Sequence, residues 1–180
     1  MRENMLKIRI VIVWIVVLVL SSASVSATDI GGSLSGTLTS AGNPYIVISD
    51  LTVPSGDSLT IEEGVEMRFN NGLKMTANGE LYVNGTSTAP VVFTSNEAIP
   101  AIGDWEGIKI VLADAQIENA IFRYANTALR AAAAPISVTD CLFEFNQSGI
   151  YAWGCLTAPA TIAGCFFREN GYGTTLEGAD

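Results

Sequence analysis

Apolar and polar side chains alternate along short segments through most of this chain, and three of those segments repeat one another. Ile117-Glu-Asn-Ala-Ile-Phe-Arg-Tyr, Val138-Thr-Asp-Cys-Leu-Phe-Glu-Phe and Ile162-Ala-Gly-Cys-Phe-Phe-Arg-Glu align without a gap, their starts 21 and 24 residues apart. Alternation with a period of two gives a strand one inward and one outward face. The first half carries a similar period. Leu51-Thr-Val-Pro-Ser-Gly-Asp-Ser-Leu-Thr-Ile aligns with Leu73-Lys-Met-Thr-Ala-Asn-Gly-Glu-Leu-Tyr-Val at a spacing of 22, two strands around a Gly-containing turn in each. A further strand follows each pair, Val65-Glu-Met-Arg-Phe and Val91-Val-Phe-Thr. Self-similarity at a fixed short interval, carried by β-forming residues and Gly/Asn turns, is the mark of a solenoid. Three short strands per coil of about 22 residues predict a parallel β-helix of about six coils. An antiparallel sandwich also has short strands and regular turns, but its strands have no reason to resemble one another at a fixed offset. The run Ala131–Ala134 is too short for a stable helix and reads as coil wall.

The aligned segments predict a register. With Ala120, Cys141 and Cys165 inward, Phe122, Phe143 and Phe167 are inward as well and stack coil upon coil. The residues after the phenylalanines, Arg123, Glu144 and Arg168, then form an outward ladder of alternating charge, whose exposed pairs add little stability. A slip of one residue would bury those charges. Asn146 and Asn170 fall at one turn position and suit an amide ladder, although Ala125 holds that place in the preceding coil. Gly149 and Gly173, three residues further, are expected to supply a positive-φ bend. Ile121, Leu142 and Phe166 point outward and predict an apolar stripe that a partner would cover, because no loop in the chain looks long.

The ends and the composition narrow the setting. Arg2, Lys7 and Arg9 precede the apolar run Ile10 to Leu20, followed by small residues with Val25 and Ala27 at the −3 and −1 positions of a cleavage site. Residues 1–27 read as a signal peptide, because 11 apolar residues fall short of the ~20 needed to span hydrocarbon. A secreted or cell-surface location follows, with no membrane span after cleavage. Removing that segment takes away three basic residues and one acidic one, leaving six Lys/Arg against 17 Asp/Glu and a net charge of −11. Nucleic acid and anionic membrane surfaces are then poor partners, and an acidic polysaccharide would need a bridging cation. There is no histidine, and the cysteines Cys141, Cys155 and Cys165 form no CxxC pair, so no metal or other cofactor is expected.

With the coils laid out, the chain resembles the secreted right-handed parallel β-helix proteins of the pectin-lyase-like superfamily, above all surface-exported repeat proteins. The resemblance is carried by Leu51 to Phe69, by Asn78-Gly-Glu-Leu-Tyr-Val-Asn-Gly-Thr, Ala89-Pro-Val-Val-Phe-Thr-Ser and Gly103-Asp-Trp-Glu-Gly-Ile, and by the three later coils, nearly all of the chain after residue 27. It implies the right-handed, single-stranded form of the β-helix. It does not transfer chemistry, because the superfamily includes lyases, glycosidases and adhesins. Its pectate lyases hold calcium on clustered carboxylates beside an arginine base, whereas Asp114, Glu118, Asp140 and Glu144 are scattered in this sequence. Paired aspartates of the polygalacturonase kind are missing too, and no catalytic residue can be placed.

Smaller features remain. Cys141 and Cys165 share one inward slot on adjacent coils, where they are either a disulfide or two stacked thiols. Asn84 and Asn146 begin glycosylation sequons; Asn146 belongs to the ladder, and Asn84, in a loop, is the better acceptor. Trp105 either stacks on a sugar from the outer wall or covers the core at a corner. Residues 28–50 are expected to cap the coil and 51–180 to form it, with an unfinished last coil that invites end-to-end self-association. The expected function is an exported scaffold that recognises a polysaccharide or surface protein on its lateral wall. The alternative is a polysaccharide lyase or glycoside hydrolase.

Overall fold

The computed structural model describes residues 26–154 and 160–177. It is an all-β parallel solenoid of about six turns whose strands follow one another around three walls. In chain order the strands are β1 (Thr28–Ser33), β2 (Gly36–Leu38), β3 (Tyr45–Val53), β4 (Ser58–Glu62), β5 (Glu66–Phe69), β6 (Lys74–Ala77), β7 (Glu80–Asn84), β8 (Val91–Ser95) and β9 (Gly107–Val111). They continue with β10 (Ala115–Glu118), β11 (Ala120–Arg123), β12 (Thr127–Ala132), β13 (Ile136–Thr139), β14 (Leu142–Glu144), β15 (Ser148–Trp153), β16 (Ala160–Ala163), β17 (Phe166–Arg168) and β18 (Tyr172–Glu177). The first wall runs β3-β5-β8-β11-β14-β17 and the second β3-β6-β9-β12-β15-β18, joined through the long β3, which bends across the corner. The third wall runs β2-β4-β7-β10-β13-β16. Every pairing is parallel.

Alternation explains the core. Along β13, for instance, Ile136 and Val138 are buried while Ser137 and Thr139 are half-buried on the outside. Inward residues stack on their partners one coil away, as Ile61 does on Val83, Val83 on Ile117 and Ile117 on Val138. Each such aliphatic side chain gains ~1.5–3 kcal/mol from leaving water. Stacking at the spacing of hydrogen-bonded strands then fills the interior without a second layer.

The corners depart from expectation. Gly149 and Gly173 do not adopt positive φ; the bends are made elsewhere, mostly by residues with side chains, repeated coil upon coil. Tyr124, Phe145 and Glu169 turn the chain from first to second wall, Leu112, Ala133 and Gly154 from second to third, and Asn119, Asp140 and Gly164 back to the first. A left-handed conformation costs a non-glycine residue ~1–2 kcal/mol. The bend holds where the corner N–H still reaches the next coil: Tyr124 donates to Phe145 O, Ala133 to Trp153 O and Asp140 to Ala163 O. Gly149 is required for a different reason. A Cβ there would stand 2.5 Å from Gly173 O and 2.8 Å from the Phe167 ring.

Two further expectations are corrected. Leu51 pairs with Met75 rather than Leu73, because the turn Pro54–Asp57 is two residues longer than its counterpart at Asn78-Gly79; the spacing of 22 holds only for the strand after it, where Leu59 meets Leu81. A slip of two keeps every side chain on its proper face, which is why the sequence pattern did not reveal it. The position between residues 50 and 51 lies inside β3, and β1 and β2 pair in register with β3 and β4. Finally, one connection is long: residues 96–106 join β8 to β9, and Trp105 near their end rejoins the coil by pairing with Ala125, stretching the step from Phe93 to Phe122 to 29 residues. Asp104, buried at the base of this excursion, accepts from Ser95 Oγ at 2.6 Å and from Ala101 N at 2.9 Å. Ile99 at the tip is 88% exposed.

Candidate functional site

On the first wall, Phe122 stacks on Phe143 with ring centroids 4.8 Å apart, and Phe143 on Phe167 at 4.9 Å. Phe93 extends the column at the other end, 4.8 Å from Phe122. The outward neighbours pair as Arg123 with Glu144 and Glu144 with Arg168. This ladder is not exposed throughout. The Glu144 side chain is 1% exposed, because guanidinium groups from the coils on both sides close over it. Arg168 Nε donates to Glu144 Oε2 at 2.6 Å and Arg123 Nε to Oε1. Desolvation is the largest influence on this carboxyl and pushes its pKa up. The hydrogen bonds from Arg168 and Arg123, with their charges, outweigh it and hold the carboxyl below its ordinary value.

Ile121, Leu142 and Phe166 pair in one outward row, which Val92 extends. Exposure grows along it: Ile121 and Leu142 are half-buried and Phe166 is 73% exposed. At the neighbouring turn Asn146 is fully buried. Its Nδ2 donates to Asn170 Oδ1 at 3.0 Å and to Phe122 O at 3.0 Å, and its Oδ1 accepts from Ala125 N at 2.9 Å. Asn170 Nδ2 in turn donates to Phe143 O at 2.8 Å. An amide so fully used has no room for a glycan. Asn84 is exposed, at the end of β7 rather than in a loop. Trp105 lies inside, stacked on Phe69 at 4.1 Å with its indole N–H donating to Arg123 O. It presents no face to a ligand.

Cys141 is buried and Cys165 half-buried, both as free thiols; Cys155 and the expected signal segment up to residue 25 lie outside the described residues. The carboxylates Asp114, Glu118, Asp140 and Glu144 are spread over two corners and two walls. Among the described residues no three Cys, Asp or Glu side chains converge on a point that could hold a metal ion. Among them, too, no helix is long and apolar enough to cross a membrane.

The second wall holds a group of residues that sequence reasoning missed. Its central outward row is Thr52, Thr76, Lys109, Arg130, Tyr151 and Thr175, each paired with the next one coil along. Two hollows lie along this row and share Arg130. One, of about 300 Å³, is lined by Lys74, Thr76, Glu106, Lys109 and Arg130; the other, of about 320 Å³, by Thr127, Arg130, Ser148, Tyr151, Tyr172 and Thr175. Neither Lys109 nor Arg130 forms an ion pair among the described residues; Arg130 donates only to Thr127 Oγ1, at 3.1 Å. Tyr151 donates to Glu177 Oε2 at 2.7 Å, which raises its pKa and keeps the phenol protonated, and its ring lies 5.3 Å from that of Trp153. The signal was present in the repeats. Lys109, Arg130, Tyr151 and Thr175 recur at steps of 21, 21 and 24, and the last two steps equal those of Phe122, Phe143 and Phe167 on the first wall. A larger cavity of about 380 Å³ at the corner of the second and third walls, lined by turn residues with Asp57, Glu80 and Asp114, offers neither cation nor aromatic ring.

Three parallel walls around a stacked aliphatic and aromatic core define a β-helix with a groove on its flank. Residues 32–134 match the family described as the pectate-lyase-like beta helix domain, more than half of the chain, and the protein belongs to that family. No curated protein and no solved structure shows significant similarity to the chain.

Proposed function

We propose that the protein is an exported or cell-surface β-helix scaffold that binds an acidic polysaccharide along its second wall. The observation that carries the reading is the row Lys109, Arg130 and Tyr151. It sets two cations without carboxylate partners among the described residues beside an aromatic ring, on a chain whose formal net charge is −9. Such cations attract an anion locally although the molecule as a whole repels it, because screening limits the distant charges to about a Debye length. Guanidinium and carboxylate geometries match, and aromatic rings offer sugar C–H faces a flat apolar partner. A polymer is favoured because the row runs along the solenoid axis and both hollows are open and shallow. Export is supported by the N-terminal sequence pattern.

The test is titration calorimetry with oligogalacturonate, a sulfated galactan and neutral dextran. Binding of an acidic glycan, weakened by salt and about five-fold by Arg130→Ala at unchanged melting temperature, is expected from the loss of ~1 kcal/mol per partly exposed ion pair. Binding of dextran alone, or equal affinity in an Arg130→Ala/Lys109→Ala variant, would refute this placement. Release of shortened chains would instead favour a lyase or hydrolase.

A further inference from the structure

We propose that Cys141 and Cys165 are a disulfide-forming pair that fastens the coil carrying β16, β17 and β18 to the coil beneath it. Each cysteine immediately precedes a strand residue, and those residues, Leu142 and Phe166, are ladder partners. The two thiols therefore occupy one slot on neighbouring coils. In-register strands lie ~4.8 Å apart, within the Cα separations that a disulfide spans. The sulfurs take equivalent places one coil apart: Cys141 Sγ lies against Thr139 O at 3.2 Å and Ile117 O at 3.8 Å, and Cys165 Sγ against Ala163 O at 3.4 Å and Val138 O at 3.5 Å.

Their environments divide the roles. Cys165 is half-exposed, and hydrogen bonding from Cys141 lowers its pKa to about 7, whereas Cys141 is buried and its pKa is pushed up, first by that same hydrogen bond and then by desolvation. Cys165 is thus the thiolate that an external disulfide meets first. Its sulfur attacks one sulfur of a small disulfide such as oxidised glutathione, forming a mixed disulfide and releasing one thiolate. Cys141 then gives its proton to solvent and attacks the Cys165 sulfur, expelling the second thiol. Two electrons pass from the cysteine pair to the external disulfide, which leaves as two thiols. Of the two alternatives open from the sequence, stacked thiols describe the reduced form and the disulfide the oxidised one.

Because Cys155 could compete, the test uses a Cys155→Ser variant, equilibrated with oxidised glutathione and denatured in iodoacetamide. The expected product has lost two hydrogens, takes up no alkyl group, and melts several degrees higher than after reduction. A Cys155→Ser/Cys165→Ser variant should show no such shift with reductant. Alkylation of both cysteines, a lasting glutathione adduct on Cys165, or linkage between two molecules would overturn the proposal. Should the Cys155→Ser variant fail to fold, proteolytic mapping of the oxidised wild type replaces it: a Cys141–Cys165 link supports the pair, and any link through Cys155 refutes it.

Discussion

Replacing Arg123 and Arg168 together by Met should destabilise the protein more than neutralising the carboxylate they share. Methionine keeps an unbranched apolar stem over Glu144 and removes the guanidinium. A carboxylate with 1% exposure is then left without a charged partner. Breaking a buried pair by removing the partners costs about 3–5 kcal/mol. The Arg123 and Arg168 side chains are 36% and 64% exposed, so solvent screens part of their attraction and the lower figure, ~3 kcal/mol, applies. For a protein of this size that is a fall in melting temperature of about 6–12 °C. Glu144→Gln keeps the shape and leaves two arginines that can rehydrate, so its cost should stay near ~1 kcal/mol. The pH dependence carries a second signature. In the wild type the Glu144 carboxyl is held below its ordinary value, so its contribution is complete above that value and is lost as pH falls through the lowered pKa. In the double Met variant nothing opposes desolvation and the pKa rises. That variant should therefore lose stability as pH rises from the ordinary carboxyl value through the raised one. Circular-dichroism melts across the acid range would read both effects. If Glu144→Gln costs as much as the double variant, or the two melt with the same pH slope, the carboxylate is solvated and the reasoning fails.

Three other outcomes follow from the same packing. Asn146→Ala should cost about 2–4 kcal/mol, measured by chemical denaturation, because it leaves Ala125 N without its acceptor and removes the donors to Phe122 O and Asn170. Gly149→Ala should destabilise by ~2–3 kcal/mol, with little relief from repacking, because the added carbon meets the Gly173 carbonyl rather than a flexible side chain. A Leu142→Ser/Phe166→Ser variant should keep a cooperative melt, since both side chains point outward and Phe166 is 73% exposed; global unfolding would mean these residues are core.

Period-two alternation and the repeated Phe, Asn and Arg/Glu/Arg positions were enough to define the solenoid, because stacking in a parallel β-helix needs only that each coil present like residues at like places. Inward or outward facing was legible wherever three coils could be aligned. Register within the first coils was not, because the longer turn at Pro54–Asp57 shifts Leu51 by two residues without moving any side chain across the wall. Nor were the corners, whose left-handed residues Tyr124, Ala133 and Leu112 carry no glycine signature and hold their conformation through hydrogen bonds to the next coil. The burial of Glu144 depends on the conformations of two arginines 21 residues before it and 24 after, and no local pattern encodes that. The second-wall groove was spelled out in the repeats, since Lys109, Arg130 and Tyr151 keep their spacing. It becomes a site only when the coil stacks them within reach of one ligand. Sequence alone determined which side chains face out, while the stacking of distant coils decided which of them meet, because contact across a β-helix runs along its axis and not along its chain.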